Sequence, residues 1–238
     1  MKPVAVFRFS RTEGPGHFAT FLEANGVPWA LVKLDEGEAV PASSEPFSGL
    51  GFMGGPMSAN DELPWTAPVL ALMRDAASRR VPMIGHCLGG QLMSRALGGR
   101  VSRNPVKEIG WVRVQAERSP AAREWLGEDL EAFESFQWHG ETFTVPSGAE
   151  RILSGITCEN QAYVVDGLHL GMQCHVEMDA GLIDAWCREG RDEVEASLGR
   201  SPAVQDVPSI RELAGRNLGS LHATADRLYS RWLRGLKS

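Results

Sequence analysis

The stretch Pro82-Met83-Ile84-Gly85-His86-Cys87-Leu88-Gly89-Gly90-Gln91 decides the fold. Val81 to Ile84 is short and apolar, as a buried strand is, and Leu88 to Leu97 reads as a helix stopped by Gly98-Gly99. A strand therefore runs into a helix through Gly85-x-Cys87-x-Gly89. Small residues two before and two after a central nucleophile suit a sharp strand-to-helix turn, because side chains at those flanks would collide. Such a turn lifts the thiol out of the sheet and sets it at a helix N-terminus, where free N–H groups favour a nucleophilic anion. The ordinary fate of a lone cysteine is a small buried hydrophobe, and that is the reading for Cys158 and Cys187.

Upstream of this bend, strand and helix alternate. Val4 to Phe9 is an apolar run with one charge; Gly16 to Asn25 carries Phe18, Phe21 and Leu22 at helical spacing and closes on Asn25-Gly26. Trp29 to Leu34 and Leu50 to Met53 are further strands, the latter ending in Gly54-Gly55-Pro56. Trp65, Val69, Leu72, Met73 and Ala76 predict an amphipathic helix over 65–79. This rhythm predicts an α/β fold, an open, mostly parallel twisted sheet with helices on both faces. Downstream, Ile109 to Val114, Phe133 to Trp138, Arg151 to Leu153, Ala162 to Val165 and Leu168 to Gln173 are short strand candidates, read as extra antiparallel strands on the same sheet. From Ala180 the chain turns helical. Ile210, Ala214, Leu218, Leu221, Ala225, Leu228 and Trp232 step by three and four, which predicts one long helix with a single packed face. No linker or repeat interrupts the pattern, so residues 1–238 read as a single domain.

Composition limits the function. With 24 Lys+Arg against 30 Asp+Glu among 238 residues, the net charge is −6, and without a basic cluster the chain lacks the footprint of a nucleic-acid or anionic-membrane binder. No run reaches the 18 or so uncharged apolar residues of a membrane span. The N-terminal Met1-Lys2-Pro3 meets charge early and reads as no secretory signal, so a cytoplasmic location is expected. Four cysteines with no CxxC pair support neither a disulfide framework nor a zinc site, and no Gly-rich nucleotide loop occurs; no cofactor or metal is expected.

A nucleophilic cysteine needs a base. Among six histidines, His175 stands out because Glu177 follows two residues later, just beyond the Leu168–Gln173 strand. On an extended chain, residues i and i+2 point to the same side, so the carboxylate can fix the imidazole. His86 is expected to take a packing or solvent role, and His17 and His222 to fill surface or core. Oxyanion donors would be the backbone N–H of Leu88 and one from Gly54-Gly55-Pro56.

Four segments in order give the chain its resemblance to the class I, triad-type glutamine amidotransferases, above all to the amidotransferase part of GMP synthetase and its free-standing relatives. Phe52-Met53-Gly54-Gly55-Pro56-Met57-Ser58 resembles the oxyanion strand, and Gly85 to Gln91 matches Gly-x-Cys-x-Gly-x-Gln. Trp138-His139-Gly140-Glu141 with Val145-Pro146-Ser147-Gly148-Ala149 is similar to His-Gly-Asp and its sequel, and Gly171 to Glu177 resembles Gly-x-Gln-Phe-His-Pro-Glu. The resemblance implies a flavodoxin-like fold, Cys87 as nucleophile, His175 as general base and acid, and Glu177 as orienter. It places Gly55 and Leu88 in the oxyanion hole, with Gln91, Trp138, His139, Gly140 and Glu141 around the γ-glutamyl group. The chemistry implied is hydrolysis of a γ-glutamyl amide, a small-molecule substrate, through a thioester. Val176, Cys174 and Glu141 depart from the family's Pro, Phe and Asp. Three outcomes stay open: a stand-alone hydrolase, a glutaminase subunit feeding ammonia to a separate synthetase subunit, or a non-catalytic binding protein on this fold.

Overall fold

A computed structural model describes residues 2–237. The first half is built as its periodicity demands. Strands β1 (Val4–Arg8), β2 (Trp29–Lys33), β3 (Gly49–Phe52) and β4 (Met83–His86) alternate with helices α1 (Gly16–Ala24), α2 (Thr66–Ser78) and α3 (Leu88–Ala96). The second half adds β5 (Val101–Ala116), α4 (Pro120–Leu126), β6 (Ala132–Phe143), β7 (Glu150–Gly155), β8 (Ala162–Val165) and β9 (His169–Met172). Helices α5 (Ala180–Glu189) and α6 (Arg191–Ser197), a two-residue β10 (Ala203–Val204) and α7 (Val207–Leu233) complete it.

All ten strands join one sheet in the order β10-β5-β7-β8-β9-β4-β3-β1-β2, with β6 paired to β5. The run β9-β4-β3-β1-β2 is parallel, and the pairs β5–β6, β5–β7, β7–β8 and β8–β9 are antiparallel. Helices cover both faces. Phe18 and Phe21 of α1, Trp125 of α4, Ile183 of α5 and the Ile210–Trp232 stripe of α7 fill one core. Val69, Leu72 and Met73 of α2 and Leu92 and Met93 of α3 fill the other. Among the described residues no helix is long and apolar enough to cross a membrane.

The differences from the sequence reading have local causes. Strands β5 and β6 run well beyond the predicted Ile109–Val114 and Phe133–Trp138, because their ends carry polar residues such as Ser102, Arg103, Glu141 and Thr142, whose alternation is silent while their backbones still pair. Helix α4 was not predicted; Ser119 caps it, accepting from the Ala122 N–H at 3.1 Å. A 3-10 turn at Leu34–Glu36 and the two-residue β10 are too short to leave a period.

Parallel strands β1, β3, β4 and β9 all point their carboxyl ends at one edge of the sheet. The chain leaves β1 to form β2 on one side and β3 on the other, so a crevice opens between the ends of β1 and β3, where open α/β sheets take ligands.

Candidate active site

The bend at Cys87 has the geometry its glycines foretell. Cys87 adopts φ 47° and ψ −105°, a backbone state uncommon outside glycine. A Cβ on Gly85 would lie 2.5 Å from the carbonyl carbon of Gly89, and one on Gly89 would lie 2.2 Å from the Phe52 oxygen. The turn is pinned from both sides: the Cys87 N–H donates to the Met172 carbonyl of β9 at 2.8 Å, and the Gly89 N–H to the Met53 carbonyl at 3.1 Å.

His175 reaches the same crevice through the backbone. Its N–H donates to the Phe136 carbonyl of β6 at 2.9 Å, forming a lone bridge beyond the end of β9. Its Nδ1 lies 2.6 Å from Glu177 Oε1. Helix α1 backs this pair. The His17 N–H donates to the Glu177 carbonyl at 2.8 Å, and Gly16 is required at the contact, since a Cβ there would stand 2.2 Å from that oxygen. His175 and Glu177 are both buried, yet Nε2 of the imidazole has no hydrogen-bond partner among the described residues. With Nδ1 committed to Glu177, Nε2 is the nitrogen left for Cys87, which lines the same cavity. Burial by itself would depress the imidazole pKa, but the charge of Glu177 and the sulfur of Cys87 outweigh it and hold His175 well above its usual range. For Glu177, burial pushes up while the His86 and His175 rings pull down, and the net shift is downward.

His86 is fully buried, which excludes the solvent role; its Nε2 lies 3.1 Å from the Tyr229 hydroxyl of α7 and 3.8 Å from Glu177 Oε2. Neighbouring side chains do diverge at the bend: Cys87 faces the cavity and His86 faces the rear of the carboxylate. His17 and His222 stack at 3.9 Å between α1 and α7, away from the thiol. All four thiols are buried, and of them Cys87 lines the cavity. Desolvation pushes Cys158 and Cys174 up to about 12.

Of the remaining residues proposed from sequence, Gly55, Gln91, Trp138, His139, Gly140 and Glu141 line one cavity of about 650 Å³, while the Leu88 side chain is buried beneath it. Gly55 and Leu88 adjoin, a Cβ on Gly55 falling 2.6 Å from the Leu88 side chain, and neither N–H donates to another backbone group among the described residues. Gln91 Nε2 donates to Gln173 Oε1 at 3.1 Å, and Gln173 Nε2 in turn to the Cys87 sulfur at 3.4 Å. Trp138, His139, Gly140 and Glu141 form the facing wall, and Glu141 accepts from the Ser58 hydroxyl at 2.8 Å.

Behind that wall lies a second buried pair. His139 Nε2 is 2.7 Å from Glu108 Oε2 and its Nδ1 2.9 Å from the Glu141 carbonyl. Glu108 also accepts from Gln161 at 3.1 Å and from the Thr157 hydroxyl. Burial raises its carboxyl, but these donors more than compensate and its pKa falls below the usual range. Glu108, His139 and Cys158 bring three ligand-type atoms within 4.8 Å of one another, but the carboxylate and ring already bond each other and Cys158 bonds Thr142, so the set is satisfied without a cation.

Several lining residues were not foreseen. Glu13 follows β1, and its carboxylate flanks Gly54 together with the His175 ring: a Cβ on Gly54 would lie 2.6 Å from Glu13 Oε2 and 3.2 Å from His175 Cε1. Trp186 packs edge-on against His175 at 4.9 Å, and Glu189, Asp192 and Glu193 surround the joint between α5 and α6. These helices, which the sequence shows only as a helical stretch after Ala180, close the cavity. A weak signal existed for Glu13, which sits in a Gly/Pro-rich loop directly after the first strand.

An open sheet in flavodoxin order, with a cysteine at a strained bend sharing a cavity with a histidine–carboxylate pair, defines an α/β protein whose candidate site lies at the carboxyl ends of its parallel strands. The glutamine amidotransferase class-I model matches residues 19–185, and the chain belongs to that family. A solved glutamine amido transferase of Methylobacillus flagellatus is 45% identical, covers 100% of this chain and 96% of its own, and superposes with a TM-score of 0.96. The glutamine amidotransferase-like protein YfeJ of Salmonella typhimurium is 24% identical over 84% of this chain and 85% of its own length. The GMP synthase of Lacticaseibacillus casei is 32% identical over 55% of this chain, a match that spans 24% of that protein.

Proposed function

We propose that the protein hydrolyses a γ-glutamyl amide through a γ-glutamyl thioester on Cys87. The observation that carries this reading is the buried, unpartnered Nε2 of His175, whose other nitrogen is fixed 2.6 Å from Glu177 and which shares a cavity with Cys87. His175 takes the thiol proton as sulfur attacks the carboxamide carbon. The N–H groups of Gly55 and Leu88 receive the developing oxyanion, and Gln91 with the Trp138–Glu141 wall seats the glutamyl part. The C–N bond breaks as Nε2 returns the proton to the departing nitrogen, leaving the thioester. Water, deprotonated by the same nitrogen, then attacks; the C–S bond breaks, and glutamate and the free thiol are restored. Glu177 orients the ring and balances the imidazolium.

Cys87→Ala tests this. Glutamate release should fall by about a million-fold, the typical cost of removing a nucleophile; release that survives the substitution would refute the mechanism. A second reading, a glutaminase subunit serving a separate synthetase, is favoured by the match to one part of a GMP synthase. It is tested by whether a copurifying ATP-dependent partner stimulates turnover. A single domain in the cytoplasm belongs to the same reading and is supported by one continuous sheet and four unpaired cysteines.

A further inference from the structure

We infer that the natural substrate is a γ-glutamyl amide whose amine portion carries its own positive charge, seated beside the packed Trp138–Trp186 pair and against the carboxyl groups of Glu13, Glu189 and Asp192. This rests on the hydrolase reading above and names the substrate class for that site.

Three observations converge on it. The first is size: a cavity of about 650 Å³ lies in the range that encloses a drug-sized ligand, whereas free glutamine has only about ten non-hydrogen atoms. The second is chemistry. The lining includes five carboxylates and two indoles, and no lysine or arginine. The two indoles pack edge to face at 5.9 Å, and aromatic surface beside carboxylates favours an alkylammonium group. Two of the five carboxylates are occupied, Glu141 by Ser58 and Glu193 by Lys107 at 2.5 Å and by the Trp138 indole N–H at 2.8 Å. Lys107 belongs to a neighbouring cleft that shares Gly140 and Glu141 with this one. Glu13, Glu189 and Asp192 keep no side-chain partner among the described residues.

The third is the direction in which the leaving group departs. His175 Nε2, buried and unpartnered, is the atom that protonates the departing nitrogen, so whatever extends from that nitrogen passes the imidazole. Glu13 and Trp186 are the side chains that touch this ring's surroundings, one across Gly54 and one edge-on at 4.9 Å. The glutamyl part occupies the opposite wall, at Gln91 and Glu141. Burial pushes Glu13 up to about 8, against the pull of His175 and with the nearby Glu177 adding to the rise; an arriving ammonium would favour its ionised form.

The experiment compares three isosteric γ-glutamyl amides, of a four-carbon diamine, of pentylamine and of aminobutanoic acid, together with glutamine. Their kcat/KM values are measured on the whole protein and their binding to Cys87→Ala by calorimetry. The diamine conjugate should exceed the neutral amide by about tenfold or more in both readouts, and the acid conjugate should be poorest. In Glu189→Gln/Asp192→Asn, where both residues are exposed and folding is not at stake, the ratio of diamine to neutral amide should fall toward one; Glu13→Gln should lower it independently. A neutral or acidic conjugate bound and cleaved as well as the diamine conjugate overturns the inference. Absence of turnover for all four compounds, with the diamine conjugate still bound selectively, overturns the hydrolase mechanism and leaves the ligand class standing.

Discussion

Substituting Cys87 by alanine and by glycine separates the strain at the bend from the loss of the sulfur. At φ 47° and ψ −105°, the residue is held by the Cys87–Met172 and Gly89–Met53 hydrogen bonds in a conformation that disfavours any Cβ. Strain of this kind costs about 1–3 kcal/mol. Alanine keeps the Cβ and therefore the strain, and gives up only the packing of the sulfur. Glycine gives up the sulfur and the Cβ together and relieves the strain, at a cost of about 0.5–1 kcal/mol in chain entropy. Cys87→Gly should therefore be more stable than Cys87→Ala by about 1 kcal/mol, equivalent to a Tm higher by about 2–4 °C for a chain of this size. Calorimetric melts of the two variants under identical buffer decide it. If the glycine variant melts at or below the alanine variant, the bend is relaxed, and presentation of the thiol by backbone strain is wrong.

Glu177→Gln keeps the volume but lets the imidazole turn to the wrong tautomer, so kcat for glutamate release should drop by about 10³–10⁴ while the fold persists by circular dichroism. Glu108→Gln puts an amide against three donors, His139, Thr157 and Gln161; it should cost about 3 kcal/mol in urea unfolding and raise KM more than it lowers kcat, because the Trp138–Glu141 wall loses its anchor. His169 is buried, accepts from the Met83 N–H at 3.2 Å, and is depressed to about 4 by desolvation. Because its folded pKa lies below the unfolded value, the unfolded state binds more protons between pH 6.5 and 4. Stability should therefore fall by about 3 kcal/mol as pH drops through that window, and His169→Gln should flatten this part of the stability–pH curve.

The sequence alone determined the parts of this protein that depend on neighbours in the chain. The strand–helix rhythm of the first hundred residues, the glycines on either side of Cys87 and the shared face of His175 and Glu177 are all set by local period and local sterics, which a linear reading detects. Tertiary structure alone decided the rest. It set the strand order that brings β1 and β3 to either side of the crevice, the approach of Glu13 and Trp186 to the imidazole, the turn of His86 toward Glu177 and Tyr229, and the Glu108–His139 pair beneath the substrate wall. Each of these joins segments separated by tens to more than a hundred residues, and each arises because two sheet faces had to be covered at once. No single side chain's period records which distant partner the packing will deliver.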